Sequence, residues 1–242
     1  MTIDLNCDMG ENIGNDEFIM PYITSANIAC GYHAGNAKTM RETVRLAKKL
    51  GVKVGAHPSW FDPEEFGRRE MTLPLEEVEA LILDQVSALA AIANAEDVEL
   101  HHVKLHGALY NQAAKDHELA IAVARAVKKF NGGLILVGLA GSRLVEAGTE
   151  VGLRVSNEGF PDRRYNSDGT LVSRKESHAI IESPDDVAKH ATELLRDGVL
   201  FEGKRIALDT LCLHGDHPRA VENAKLIREM MQGRTRRSAP TS

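Results

Sequence analysis

Short apolar runs alternate with longer amphipathic stretches along almost the whole chain. Glycine, histidine, aspartate or asparagine bounds each run, which is typical of parallel strands buried on both faces. Between the runs, apolar residues such as Val78, Ile82 and Val86 recur at intervals of three or four and predict amphipathic helices. The predicted strands are Ile3–Cys7, Ala26–Cys30, Val52–Ala56, His102–Leu105, Leu134–Leu139, Arg154–Ser156 and Ile206–Leu213.

Residues at the ends of the amphipathic stretches support this pattern. Ser183 followed by Pro184 is a typical helix start, and Gly51 can adopt the left-handed conformation that ends a helix. The stretch Asn157–Ile181 lacks clear periodicity and is predicted to be a long loop with a short hairpin-like insert. The alternation of strands and helices therefore predicts a parallel sheet with helical crossovers.

That sheet can be open or closed, and the polar residues at the strand ends distinguish the two. An open doubly wound sheet binds its ligand at one switch point, whereas a barrel gathers all its strand ends around one mouth. Polar residues follow nearly every strand: Asp8, Glu11, His33, His57, Lys104, His106, Glu158, Asp162, His214 and Asp216. The sequence therefore predicts an irregular seven-stranded (β/α) barrel.

Composition limits the class of protein without choosing a function. The 242 residues are 43% hydrophobic and 26% charged, with a net charge of −6, which is typical of a soluble globular chain. This charge gives no broad attraction to nucleic acid, and no such partner is expected. A single barrel domain is predicted for residues 1–231 and a disordered basic tail for residues 232–242.

The cysteines and apolar runs predict a cytoplasmic protein. Cys7, Cys30 and Cys212 are scattered and form no Cys-x-x-Cys pair, so neither a disulfide framework nor a zinc ribbon is expected. No basic segment with a long apolar stretch precedes Cys7, so no secretory signal is expected. The run Leu134–Ala140 is far shorter than the ~20 residues that cross a bilayer, and no membrane association is predicted.

The first strand carries polar residues on one face. Asp4, Asn6 and Asp8 alternate, so all three point into the predicted barrel, where a bare carboxylate is costly unless it is hydrogen-bonded or functional. Asp8 and the nearby Glu11 are therefore candidate site residues. The alternative is that they are solvated residues at a strand end.

The loops after the second and third strands add two histidines and two arginines. His33 follows a glycine-rich turn, and His57 ends the third strand. Arg68 and Arg69 suit the binding of a carboxylate or a phosphate, because guanidinium groups bind both in a bidentate manner. The alternative is that these arginines balance acidic residues next to them on the surface.

The fourth strand ends with Lys104 and His106, which lie two residues apart and share a face. A buried lysine among polar groups can bind an anion or have a shifted pKa. His101 and His102 precede these residues and are predicted to be exposed.

Two later segments complete the candidates. Glu158, Asp162 and Arg163 belong to the long loop. His214 and Asp216 suit a general base with an orienting partner, although a metal site uses the same residue types. The residues alone leave both possibilities open.

These stretches together resemble the LamB/YcsF family. The resemblance runs in order from Ile3 to about Met231. The matching stretches are Asp4–Glu11, Ser25–Gly35, Gly55–Ser59, Phe66–Arg69, Val103–Asn111, Glu158–Tyr165, Leu171–Arg174 and His214–Asp216.

The resemblance implies both a fold and a function. The fold is a (β/α)7-type barrel related to polysaccharide deacetylases and some glycosidases. The function is that of an ATP-dependent 5-oxoprolinase, in which a member of this family works with subunits B and C to convert 5-oxoproline to L-glutamate. ATP is then a co-substrate of the complex, with phosphorylation by B and C and ring opening assisted by this chain. The chain lacks a Gly-x4-Gly-Lys loop, which agrees with that division.

Roles for the candidate residues follow from this scheme. His57, His106 or His214 activates water, oriented by Asp8 or Asp216, and Lys104 stabilises developing negative charge. The substrate carboxylate or the phosphoryl group is held by Arg68, Arg69 and Arg163, and the expected substrate-binding set also includes Glu11, His33, Glu158 and Asp162.

Two other functions remain open from the sequence. One is a metal-dependent amidohydrolase or sugar deacetylase, in which Asp8 and two of the histidines bind Zn²⁺ or Mg²⁺. The other is a lactam-binding protein without catalytic activity, which presents the substrate to its partners.

Overall fold

Seven parallel strands close into a barrel, as the sequence predicts. The computed structural model describes residues 3–237, with side chains described as far as residue 232. The barrel strands are β1 (Asp4–Met9), β2 (Ser25–Ala29), β3 (Lys53–His57), β4 (Leu100–Lys104), β5 (Ile135–Leu139), β6 (Arg154–Gly159) and β9 (Thr210–Leu213). They follow one another around the barrel in this order, and β9 closes it against β1.

The last barrel strand is shorter than predicted. The sequence predicts one strand over Ile206–Leu213, but Ile206 ends β8 (Lys204–Ile206), which pairs antiparallel with β7 (Val199–Phe201). The turn between β7 and β8 places Glu202 at φ 46° and Gly203 at φ 77°. Positive φ at both central residues is typical of tight hairpin turns. Turn geometry therefore separates this hairpin from the barrel strand that follows.

The barrel is least regular where β6 meets β9. These strands pair at two positions, Glu158 with Thr210 and Gly159 with Leu211, whereas β1 and β2 pair at four. The chain between β6 and β9 contains the long loop, a helix and the hairpin. Because of this long connection, β6 and β9 stay in register over a short stretch only.

Helices surround the barrel and carry the crossovers. Asn36 caps the second helix by accepting bonds from two backbone N–H groups, and Gly51 ends it in the left-handed region at φ 68°, as predicted. The helices are α1 (Asp16–Ile19), α2 (Ala37–Leu50), α3 (Leu75–Ala95), α4 (Gly107–Ala113), α5 (His117–Phe130), α6 (Arg143–Glu150), α7 (Pro184–Asp197) and α8 (Ala220–Arg237), with a short 3-10 turn at Met20–Tyr22.

The barrel wall is apolar outside and polar inside. On β1, Leu5, Cys7 and Met9 are completely buried in the hydrophobic core, while Asn6 and Asp8 alternate with them. Each large apolar side chain buried in this way contributes roughly 1.5–3 kcal/mol. The core therefore lies between barrel and helices, and the barrel interior is left for polar groups that must bond to one another.

Helix α3 is long and apolar enough to cross a membrane by length and hydropathy alone. Its Val78, Ile82, Val86 and Leu89 are completely buried in the core. Burial of this kind is what a core helix needs, so α3 gives only weak support for a membrane span.

The segment after β6 forms the insert that the weak periodicity predicts. Isolated antiparallel bridges join Arg163 to Ile180 and Tyr165 to Leu171. The predicted loop begins too early, because residues 157–159 belong to β6.

The predicted tail also begins too early. Helix α8 continues to Arg237, past the predicted start of the tail at residue 232. Residues 238–242 lie outside the described part of the chain.

Candidate active site at the barrel mouth

The strand ends bring the predicted residues to one mouth. Asp8, His57 and Lys104 lie at the carboxyl ends of β1, β3 and β4, and all three are buried. His33 and His106 follow β2 and β4 and join them. His214 follows β9 and lies on the other side of Asp8.

Glu11, His33, His57 and His106 form one group, which we call the histidine cluster. Oε1 of Glu11 lies 3.1 Å from Nε2 of His33, 3.3 Å from Nδ1 of His106 and 4.0 Å from Nε2 of His57. The rings of His33 and His106 stack with centroids 3.8 Å apart. All four residues are buried, so burial lowers the pKa of His33 and His106 and raises that of Glu11.

Backbone carbonyls fix the orientation of two of these rings. Nδ1 of His57 donates to the carbonyl of Lys104 at 2.8 Å, and Nε2 of His106 donates to the carbonyl of Phe66 at 2.9 Å. A carbonyl only accepts, so each ring carries a proton on that nitrogen. The other nitrogens, Nε2 of His57 and Nδ1 of His106, lie 2.9 Å apart.

The loop after β3 supplies the Phe66 carbonyl through an unusual backbone. Phe66 at φ 56° is followed by Gly67 at φ 69°, so two successive residues occupy the left-handed region. A Cβ at Gly67 would come within 2.9 Å of both His33 and His106. Glycine therefore lets this turn pack against the two stacked rings.

Asp8 and Lys104 form the centre of the mouth. Oδ1 of Asp8 accepts from Nζ of Lys104 at 2.7 Å and from the Asn27 amide at 2.8 Å. Burial raises the pKa of Asp8, but the charges of His57 and Lys104 outweigh it and hold this pKa well below its usual value. Burial likewise lowers the pKa of Lys104, and Asp8, Cys212 and Glu158 outweigh it, so the ammonium form is favoured.

Glu158 was expected to bind substrate, but the structure places it below the mouth. Its carboxylate accepts from Asn6 at 2.9 Å and from the hydroxyl of Tyr110 at 2.8 Å, and it lies 3.4 Å from Lys104. The side chain is completely buried because β6 directs it into the barrel interior. Glu158 therefore supports Lys104 from below.

His214 pairs with Asp162 on the opposite side of the mouth. Oδ2 of Asp162 accepts from Nδ1 of His214 at 2.9 Å and from its backbone N–H at 3.1 Å. Burial raises the pKa of Asp162, but the neighbouring His214 outweighs it and lowers this pKa to about 2. Phe160 stacks on the imidazole at 5.5 Å, and the His214 side chain stays 14% exposed.

Asp216 does not orient His214, although the sequence suggested it as a partner. Its carboxylate pairs with Arg68 and, at 3.0 Å, with Nη1 of Arg174. Side chains two apart at a strand end diverge once the strand has ended, so the nearer neighbour in sequence is not the partner. Arg174 was not among the predicted site residues, although it lay in a matching stretch.

The other two predicted arginines do not pair with Asp216, although Arg163 lines the same cavity as Arg174 and His214. Arg69 pairs with the buried Asp62 at 2.8 Å and lies 3.9 Å from the exposed Glu64, so the alternative of balancing acidic surface neighbours describes it only in part. Arg163 is buried and donates to the carbonyls of Val172 and Ala179, so it holds the insert together. Arg68 and Arg69 therefore have different partners, and Arg174 is the second arginine that pairs with Asp216.

Known proteins match this sequence along nearly its whole length. The sequence model of the LamB/YcsF family matches residues 3–242. The chain belongs to the LamB/YcsF family. The 5-oxoprolinase A subunit of Chloroflexus aggregans is 51% identical over 241 residues, covering 96% of each chain.

Solved structures agree with this assignment of the LamB/YcsF chain. A lactam utilization protein from Thermus thermophilus has a TM-score of 0.88 and 44% identity, with 97% of this chain and 98% of that chain covered. A family 4 carbohydrate esterase from Streptomyces lividans has a TM-score of 0.50 and 13% identity, covering 96% of this chain and 88% of that one, and shows the fold alone. The prediction of a barrel fold like that of the deacetylases is thereby confirmed.

Two groups of side chains in the described part of this LamB/YcsF chain have metal-ligand spacing. In the group of Asp8, Cys212 and His214, the Lys104 ammonium already lies 2.7 Å from Asp8 and 2.8 Å from the Cys212 sulfur. That group does not fit a metal, because a cation occupies it. The histidine cluster fits better: among the described residues, no lysine or arginine forms a salt bridge with Glu11.

His102 differs most clearly from its sequence prediction. It was predicted to be exposed, but it is buried inside the barrel and its Nε2 donates to Asn27 at 2.7 Å. Burial lowers the pKa of His102 to about 3. A Cβ at Gly55 would collide with its ring. The sequence contains a signal for this burial, because His102 lies two residues before Lys104 and therefore on the same face of the strand.

Proposed function

We propose that this chain is the A subunit of an ATP-dependent 5-oxoprolinase, which opens the lactam of 5-oxoproline to L-glutamate together with subunits B and C. One observation carries the proposal: an Asp162–His214 pair stands at the mouth beside Arg68 and Arg174, in a chain 51% identical to a 5-oxoprolinase A subunit. The pair supplies a base, and the guanidinium groups suit an anionic substrate.

The chemistry explains why ATP and partners are needed. A five-membered lactam is a stable amide, and phosphorylation of its oxygen makes the ring carbon open to attack by water. We assign that phosphorylation to B and C, with ATP as a co-substrate of the complex. This chain then assists ring opening, and the absence of a P-loop in its sequence supports the division.

His214 is the general base in this proposal. It is more exposed than His57 or Lys104, so water at the mouth can reach it. Asp162 holds its Nδ1–H and stabilises the imidazolium that forms when His214 takes the proton from water. When the C–N bond breaks, His214 returns that proton to the ring nitrogen, and hydrolysis of the acyl phosphate left behind releases phosphate.

Lys104 and the arginines act on the negative charge of the substrate. The Lys104 ammonium is held below the mouth by Asp8 and stabilises charge on the reacting oxygen. Arg68 and Arg174 share Asp216, which keeps two cationic groups close together while further N–H donors remain for a carboxylate. The cavity beside Arg174, His214 and Asp216 has a volume of about 20 Å³, which is room for roughly one water molecule next to His214.

Reconstitution tests this function. Purified chain, combined with subunits B and C, 5-oxoproline and ATP, is expected to release glutamate and ADP together. A mixture that lacks this chain is expected to release little glutamate. Full activity of B and C alone would show that the chain merely presents substrate, and release of acetate from an N-acetylated sugar by this chain alone would favour a deacetylase.

We also propose a cytoplasmic location. Cys7, Cys30 and Cys212 are buried free thiols. Burial raises the pKa of Cys30 to about 12 and that of Cys7 and Cys212 well above the usual value. Reduced, unpaired thiols of this kind agree with a reducing compartment. Fractionation of cells that express the chain would test this.

A further inference from the structure

We infer that the histidine cluster, Glu11, His33, His57 and His106, is a binding site for one divalent transition-metal ion of the zinc type. The site lies on the β2–β4 side of the mouth, apart from the Asp162–His214 pair. The inference goes beyond the proposed function, because it depends on the positions of these ligands and not on which substrate the chain meets.

The first argument is the contact between two imidazoles. The carbonyls of Lys104 and Phe66 hold the protons of His57 and His106 on their outer nitrogens. When both rings are neutral, the inner nitrogens carry only lone pairs, yet they lie 2.9 Å apart. Two acceptors at that distance repel each other, so a positive species belongs between them.

The second argument is that carboxylate oxygens converge on the same point. Oε1 of Glu11 lies 3.3 Å from Nδ1 of His106, and Oδ2 of Asp8 lies 3.3 Å from Nε2 of His57. One ligand atom from each member of the histidine cluster falls within 4.8 Å of every other. Ligands at ~2.0–2.1 Å from a tetrahedral ion lie ~3.3–3.4 Å apart, so the 3.3 Å separation of Glu11 and His106 suits one shared ion.

The third argument is the surroundings of the ligands. Metal-binding histidines almost always donate their outer N–H to a carbonyl or carboxylate, as His57 and His106 do. His33 lacks this support, because its Nδ1 is buried without a hydrogen-bond partner. We therefore assign His57, His106 and Glu11 as the main ligands and His33 as the weakest.

Ligand chemistry selects the ion. Imidazole nitrogens suit zinc and related transition metals, whereas magnesium prefers oxygen ligands and retains water. A cluster with more nitrogen than oxygen therefore favours Zn²⁺ over Mg²⁺. A bound ion of this type supplies Lewis acidity to an oxygen at the mouth.

Metal binding to the full-length chain tests the site. The chain is stripped with a chelator and dialysed against Zn²⁺ or Mg²⁺, the bound metal is counted by mass spectrometry, and affinity is measured by competition with a coloured chelator. We expect one Zn²⁺ per chain, no retained Mg²⁺, and a higher Tm with zinc. Wild-type chain that retains no zinc would overturn the inference and leave a shared proton between the two rings.

Single variants locate the ion. We expect His57→Gln and His106→Gln to weaken zinc affinity at least ~100-fold, Glu11→Gln ~10–100-fold and His33→Gln less. The matched control is His117→Gln, because His117 is 44% exposed and pairs with Glu150. Unchanged affinity in both His106→Gln and Glu11→Gln, with folding confirmed by circular dichroism, would contradict the site.

Cobalt gives a readout that does not depend on any variant folding. Co²⁺ bound by nitrogen and oxygen ligands in four-coordinate geometry shows visible bands without a sulfur charge-transfer band. A strong sulfur charge-transfer band in the wild-type chain would move the ion to Asp8, Cys212 and His214 and overturn the assignment. Failure of the 5-oxoprolinase assay would leave the zinc count and these spectra unaffected, so the two proposals can fail separately.

Discussion

The two sides of the barrel mouth both present histidine, but they anchor it differently. On the β2–β4 side, His57 and His106 donate their outer N–H groups to backbone carbonyls. On the β6–β9 side, His214 donates to the carboxylate of Asp162. The Asp8–Lys104 ion pair stands between the two sides.

The group that anchors each imidazole determines what that imidazole can do. A backbone carbonyl carries no net charge; it holds a proton on the outer nitrogen and leaves the inner nitrogen directed at its neighbours. Burial also lowers the pKa of His106, which favours the neutral ring further. A carboxylate stabilises the imidazolium, so His214 can accept a proton and release it. One side is therefore suited to a cation and the other to proton transfer.

The largest expected effect is on the catalytic side. We expect His214→Gln to lower the rate of glutamate release by the reconstituted complex roughly 10²–10⁴-fold, because the base is lost. Asp162→Asn should also lower kcat strongly, since the partner of the imidazolium is removed. Zinc content should stay unchanged in both variants. A near-normal rate in His214→Gln would show that the general base lies on the β2–β4 side of the mouth.

The ion pair between the two sides should matter most for stability. Lys104→Met leaves the buried carboxylates of Asp8 and Glu158 without their cation. We expect the free energy of unfolding to fall by about 3–5 kcal/mol, measured by urea denaturation at neutral pH. Lys38→Met, which removes an exposed cation paired with the exposed Glu42, is the control and should cost far less. Equal losses in the two variants would contradict the role given to Lys104.

A histidine below the mouth gives a pH test. His102 keeps a pKa of about 3 in the folded chain against an ordinary value of 6.5. Between these values the unfolded chain binds more protons, so stability falls as pH drops from about 6.5 towards about 3. We expect wild type to lose about 1–3 kcal/mol more than His102→Gln between about pH 6.5 and about pH 4.5. Parallel denaturation curves for the two proteins across this range would contradict the prediction.

The smallest effect concerns substrate binding. Arg174→Gln should raise KM for 5-oxoproline about 10-fold, with a smaller change in kcat, because a guanidinium near Asp216 is lost. Arg163→Gln is expected to lower Tm as well, because Arg163 donates to a backbone carbonyl of the insert and holds it in place. If KM stays unchanged in Arg174→Gln, the anionic group of the substrate binds elsewhere.

The sequence was sufficient for the barrel but not for its side-chain pairs. Strand periodicity and polar strand ends predict the mouth, because parallel strands in a barrel must bring those ends together. Partner choice depends on rotamers and loop paths instead. Asp162 reaches His214 from 52 residues away, while Asp216, two residues away, turns to Arg68 and Arg174.

Interior burial was also hard to predict. His102 resembles a surface histidine in the sequence, and the space left by Gly55 on the neighbouring strand β3 lets its ring turn inward. The histidine cluster likewise depends on the left-handed turn at Phe66 and Gly67. Such a turn at a non-glycine residue is uncommon and leaves little trace in the pattern of apolar residues.

The division of the mouth into two kinds of histidine is tested most directly by zinc affinity in two variants measured side by side. His106→Gln and His214→Gln each remove one imidazole from the mouth, on opposite sides of Lys104. We predict that His106→Gln loses zinc affinity at least ~100-fold while His214→Gln binds zinc as wild type does. Equal affinities in the two variants, whether both retained or both lost, would contradict the account.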